Sequence, residues 1–195
     1  RAYRYDPEPD TMIYPGALSY DANLDAARHF LGAIMPLILR ERPAARLRIT
    51  GRSTPEQRAA LPPSPGVEHT GYVDDVRALI ARSAVEVVPL RQGGGTRLKI
   101  LEALALGTPV VSTAKGAEGL DLVGGRDLVI ADSPEEFAAA TVELLARPEL
   151  RARLSAVGRL AVAAQYDWRA IGGRLVALVE AVASEREPAY AADTA

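Results

Sequence analysis

Apolar residues recur along this chain in two alternating rhythms: short runs rich in valine and isoleucine, and longer stretches in which they return every three or four positions. The short runs predict strands at Thr11–Tyr14, Arg46–Thr50, Val67–Thr70, Val85–Leu90, Pro109–Ser112 and Asp127–Ile130. The longer ones predict an amphipathic helix from Asn23 to Arg40, closed by Pro43, and a helix from Thr96 to about Leu106. Thr54-Pro55-Glu56-Gln57 is a capping-box pattern opening a short helix, and Asp74 is placed to cap another that ends near Arg82. Ser133-Pro134-Glu135-Glu136 opens a helix to about Ala146, Pro148 one to about Gln165, and Asp167 a last amphipathic one from Trp168 to about Ser184. Strands alternating with helices predict an α/β class, a Rossmann-like doubly wound parallel sheet of about six strands with additional carboxyl-terminal helices. Ligands of such sheets lie beyond the strands' carboxyl ends, where Gly16, Gly51, Gly71 and Gly93 all fall.

Chemistry concentrates after the fourth predicted strand, in Gly93-Gly94-Gly95-Thr96-Arg97-Leu98-Lys99 followed by Glu102. Glycines let the backbone turn and approach a ligand closely, and Thr96 is placed to cap the helix. Free amides at that helix start, the helix dipole and the cations Arg97 and Lys99 together suit a phosphate or diphosphate. Cations are otherwise unfavourable at a helix start, so their position points to function. Glu102 can accept two hydrogen bonds from a ribose diol. Each feature also has a plain structural alternative: the glycines as an ordinary turn, and Lys99 with Glu102 as a surface helix pair contributing about 0.2–0.5 kcal/mol.

The continuous run GGGTRLKILEALALGTPVVSTAKGAEGL, residues 93–120, resembles the donor-binding segment of retaining, nucleotide-sugar-dependent glycosyltransferases with two Rossmann-like domains, the GT-B architecture. The similarity extends from about Met12 to Trp168, through Gly51-Arg52 and Gly71-Tyr72-Val73. This resemblance implies a domain that takes a nucleoside diphosphate sugar as donor. Backbone near Tyr72 and Val73 would meet the base, Glu102 the ribose, and Gly93, Gly94, Gly95 and Thr96 the diphosphate. Gly16 and Arg52 join the same rim, and Arg97 or Lys99 neutralises the leaving group. The resemblance also implies a partner, an amino-terminal acceptor domain absent from this sequence, through which peripheral membrane contact would be made.

Two departures from that family's pattern stand out. Many relatives carry Glu-x7-Glu, but the position eight residues before Glu102 is Gly94. Many also carry an arginine and a lysine after the first strand, whereas Leu18-Ser19-Tyr20-Asp21-Ala22-Asn23 has neither, leaving Arg97 and Lys99 to compensate. A non-catalytic nucleotide-sugar-binding or interaction module, or a fragment of a GT-B epimerase, are the alternatives. Arg52 also reads as a hydrated turn residue, and Trp168 and Tyr166 as packing anchors at a helix junction.

Composition narrows the setting. The 195 residues, 48% of them apolar, suffice for one substantial core and not for two domains. A net charge of −2 gives no global field for nucleic acid, so anion binding has to be local. The absence of cysteine excludes thiolate metal sites and a cysteine nucleophile and fits a cytoplasmic setting. No apolar run predicts a transmembrane segment. No Asp-x-Asp motif occurs and His29 and His69 stand alone, so neither metal nor cofactor is expected. A nucleotide-triphosphatase phosphate loop and the Gly-x-Gly-x-x-Gly dinucleotide fingerprint are both missing. Residues 1–10 read as linker-like and 186–195 as a frayed tail.

Overall fold

A computed structural model describes residues 3–185 of the chain. Its six strands are β1 (Thr11–Pro15), β2 (Arg46–Thr50), β3 (Val67–Gly71), β4 (Val85–Val88), β5 (Val110–Ser112) and β6 (Val129–Ile130). They form one sheet in the order β3-β2-β1-β4-β5-β6, every pair parallel. This is a doubly wound order: the chain winds outward from β1 to one edge, returns to β4 beside β1, and winds to the other. β4 is buried along its whole length, as a central parallel strand covered on both faces must be.

The described residues form eight α-helices, α1 (Asp21–His29), α2 (Met35–Glu41), α3 (Pro55–Ala59), α4 (Arg77–Ala81), α5 (Leu98–Leu106), α6 (Pro134–Ala146), α7 (Pro148–Tyr166) and α8 (Trp168–Glu185), the last packed on α7. The capping boxes predicted at Thr54 and Ser133 are both formed. Instead of one uninterrupted helix from Asn23 to Arg40, α1 and α2 are joined by a π-helical segment at Phe30–Ile34. Pro36 explains the interruption, since its ring cannot donate to the Gly32 carbonyl four residues back and crowds it, and the wider turn relieves the clash. Phe30 from this segment meets Phe137 of α6 edge to face, with centroids 6.0 Å apart, inside the main core.

Other boundaries move for local reasons. Thr96 does not cap α5; the helix starts two residues later with Arg97 at its N-cap and no side-chain cap. Asp75, not Asp74, accepts from the Arg77 amide at the start of α4. β6 is only two residues long, because Asp127 is drawn into the preceding loop by accepting from the Val123 amide. Trp168 is not a packing anchor: it is 84% exposed at the start of α8. Tyr166 does fill the junction, its hydroxyl accepting from the Asp121 amide at 2.6 Å. Residues 3–10 have no helix or strand and lie along α4 and β4, with Asp6 and Glu8 amides donating to Ala81 and Arg82. The tail expected at 186–195 lies outside the described residues.

Candidate functional site

The sheet's winding reverses between β1 and β4, so the loops leaving these two strands diverge and open a crevice at their carboxyl ends. Gly16 ends β1 and the Gly93–Gly95 turn follows β4, and both face that crevice. The approach is close: a Cβ on Gly93, whose φ is +96°, would lie 2.9 Å from the Ala22 Cβ. Gly51 closes the other side at φ +110°, where a Cβ would be 2.7 Å from the Ala17 amide nitrogen.

A cavity of about 230 Å³ lies between the loops, lined by Tyr20, Asn23, Gly93, Gly94, Thr96 and Lys99 among others. Among the described residues, the amides of Gly93, Gly94, Gly95, Thr96 and Arg97 donate no hydrogen bond. A larger cavity, about 540 Å³, opens between Tyr5, Gly107 and Arg151, at the carboxyl end of α5 and away from the Gly93–Gly95 turn. That rim faces the strands' amino ends, where open parallel sheets do not place their ligands.

The two cations of the turn do different things. Arg97 is buried, and its guanidinium donates to the carbonyls of Gly93, Gly94 and Lys115 at 3.0–3.2 Å and to the Glu118 carboxylate at 3.3 Å. It thereby ties the turn after β4 to the loop after β5. Lys99, in the first turn of α5, lies across the crevice: its ammonium sits 4.6 Å from the centre of the Tyr14 ring and donates to Asn23 Oδ1 at 3.2 Å. Tyr14 donates to the same oxygen at 3.1 Å, so Asn23 holds β1 and α5 together at the cavity wall. Burial lowers the Lys99 pKa to about 8, against the pull of Glu86.

The remaining predicted residues form the flanks. Arg52 stacks over the Tyr72 ring at 5.2 Å, both side chains exposed, with Val73 half-buried beside them. Glu102 is half-buried one turn beyond Lys99 and makes no ion pair with it, and among the described residues its carboxylate accepts no hydrogen bond. Burial raises its pKa, while Arg77 lowers it and Asp75 adds to the rise. The structure therefore groups Gly93, Gly94, Thr96, Arg97 and Lys99 about one cavity, sets Gly16 behind it against the Asn23 side chain, and pairs Arg52 with Tyr72. Asn23 and Tyr14 enter the site unannounced by the sequence; the hint was a lone asparagine following a strand-ending glycine. Among the described residues no group of three or more histidine, aspartate or glutamate side chains is arranged to hold a metal, and no helix is long and apolar enough to cross a membrane.

A doubly wound parallel sheet with a glycine-lined crevice at its switch point defines a Rossmann-like domain. The chain belongs to the family of glycosyl transferases group 1, whose pattern matches residues 9–147. It is 30% identical over 158 residues to the GDP-mannose-dependent monoacylated alpha-(1-6)-phosphatidylinositol monomannoside mannosyltransferase of Corynebacterium glutamicum, covering 75% of this chain and 42% of that protein. The chain thus spans less than half the length of that curated relative. Among solved structures it superposes on Anabaena Alr3699/HepE in complex with UDP, with a TM-score of 0.73, 16% identity, and 89% of this chain against 49% of that one. The C-terminal domain of a glycosyl transferase group 1 family protein (LpcC) from Francisella tularensis gives a TM-score of 0.64 and 16% identity, covering 83% of this chain and 88% of that one.

Proposed function

We propose that this domain binds the nucleoside diphosphate sugar donor of a retaining glycosyltransferase, completed by an amino-terminal domain that carries the acceptor. The observation that carries this reading is the set of undonated amides from Gly93 to Arg97 beside the half-buried ammonium of Lys99 at the switch point. Backbone donors fixed before a ligand arrives, with one cation among them, suit a diphosphate and need no metal. Arg97 holds the donors in place and adds its charge from beneath; Lys99 faces the phosphates. Glu102, free of hydrogen bonds from the protein, is available to the ribose hydroxyls. The Arg52–Tyr72 stack offers a planar, cationic edge to the base, next to Val73.

In sugar transfer, the bond from the anomeric carbon to the β-phosphate oxygen breaks and negative charge collects on the departing diphosphate. Amides and an ammonium aimed at that oxygen stabilise the transition state more than the ground state, and removing one such donor typically costs 10²–10³ in rate. Gly94 stands where many relatives have a glutamate, and open space surrounds it, so the sugar is held differently here from those relatives.

Calorimetric titration with GDP, UDP, ADP and dTDP, and with their common sugar forms, tests the reading. GDP and GDP-mannose come first, because the 30% identical relative is named for that donor. Binding of one nucleotide that weakens at least tenfold in Glu102→Ala and in Lys99→Met supports it. No heat with any nucleotide, from folded protein, overturns it.

A further inference from the structure

Glu86 lies in the centre of the sheet, in register with Ile13 of β1 on one side and Val110 of β5 on the other. It is completely buried, and both carboxylate oxygens lack a hydrogen-bond partner. An isolated ionised carboxylate in such a place is strongly disfavoured, whereas a valine, as at the neighbouring positions 85, 87 and 88, would cost nothing. The charged groups that act on it, Lys99 and Glu102, come from α5, and Glu86 acts in turn on Tyr14 of β1; β5 and α6 also pack on β4. Arg97 acts on Lys99, Arg77 and Asp75 on Glu102, and Asp25 on Tyr14. Lys99 lines the cavity, held there by Asn23 and Tyr14, and its charge acts on the buried acid. Burial drives Glu86 well above the ordinary carboxylate range, with Glu102 reinforcing and Lys99 opposing that rise.

We propose that Glu86 is a positioning residue for Lys99: carrying a proton, it leaves the ammonium free for an anion in the cavity, and without one it pairs with the ammonium and withdraws that charge, so that anion binding and protonation of the pair are linked. The cavity side of this statement rests on the donor reading above. The step is a proton exchange with water: the bound anion favours the pair with both protons, Glu86 as carboxylic acid and Lys99 as ammonium, over the ion pair holding one fewer. Two groups that interact this closely release their protons in macroscopic steps that belong to the pair and not to either residue.

The chain offers a direct reporter, because Lys99 and Lys115 are its only lysines. With 13C-labelled lysine, two Cε signals are followed against pH, and Lys115→Arg assigns them. The Lys99 signal is expected to move in two steps in the wild-type protein, and in one step in Glu86→Gln, whose amide keeps the shape of the protonated acid. Identical single-step curves in both proteins overturn the proposal. If Glu86→Gln does not fold, the wild-type curve decides, since a single-step titration there has the same meaning. Titration with GDP and UDP then tests the linkage: wild-type affinity falls by up to about tenfold per pH unit above the first step, and that fall is absent from Glu86→Gln over the same range. The same fall in both proteins overturns the linkage. A silent nucleotide titration alongside two-step behaviour of Lys99 instead sinks the donor reading and leaves the pairing standing.

Discussion

Replacing Arg97 by methionine separates two ways in which a buried cation beside a glycine turn can matter. If Arg97 is chiefly the tie between the loops after β4 and β5, the variant loses four hydrogen bonds, to Gly93, Gly94, Lys115 and Glu118. Hydrogen bonds to a charged group contribute about 1.5–3 kcal/mol each, and a buried polar group left unsatisfied costs about 1–3 kcal/mol. Two effects reduce the sum. Gly94 and Glu118 are exposed and regain water, and the wild-type protein already buries the Arg97 Nε without a partner. Methionine also keeps much of the apolar packing of the stem. The net is a loss of about 2 kcal/mol, which lowers the melting temperature of a domain this size by roughly 4–8 °C. Thermal unfolding followed by circular dichroism, with nucleotide titration of the same sample, reads both quantities. We expect stability and affinity to fall together, because the amides of the turn lose their fixed arrangement. Lost affinity at an unchanged melting temperature would refute the tie and make Arg97 a direct ligand of the phosphates.

Gly51→Ala places a Cβ against the Gly16–Ala17 backbone at a positive φ, and should cost at least about 2 kcal/mol by chemical denaturation, since neither side of that contact is a flexible side chain. Gly94→Ala meets open space without a positive φ, so its unfolding midpoint should stay within about 0.5 kcal/mol of wild type. Glu86→Gln should change stability with a definite pH sign. The folded protein holds the Glu86 proton above the unfolded value of 4.5, so wild-type stability declines as pH rises past that value towards the folded one, whereas the amide has nothing to release. The variant should therefore gain in melting temperature relative to wild type as pH rises above about 5, and a constant difference above that pH would count against a raised Glu86.

Much of this arrangement is legible in the sequence, because period-two and period-3.6 patterns and glycine positions are local signals. They place the strands within a residue or two and bring Gly16, Gly51 and Gly93 to one rim. What escaped depends on residues distant in the chain. Thr96 has the right chemistry for a cap, but Arg97 folds back onto the Gly93 and Gly94 carbonyls and takes the N-cap position itself. Asn23 matters only because β1 and α5 meet at its side chain, a contact between residues 76 positions apart. Glu86 is hidden for the same reason: within a run of valines it reads as one polar residue of a strand, and only the fold shows that it is completely buried and feels the charge of Lys99 on α5. Trp168 reads as a packing anchor because aromatic residues usually bury, and α8 leaves this one in water.

α8 has a practical consequence for anyone handling the protein. Trp168, Leu175, Val176, Leu178, Val179 and Val182 are 45–84% exposed, and helical geometry gathers them on one side. Together they present on the order of 600 Å² of apolar surface, worth on the order of 15 kcal/mol at about 25 cal/mol per Å² if it were removed from water. A stripe of that size makes the chain cling to phenyl resins, plastic and air bubbles, and salting-out agents will strengthen that adhesion. Low-sulfate buffers, and a polar replacement or two along the stripe well away from the glycine rim, are the sensible starting conditions for every titration above.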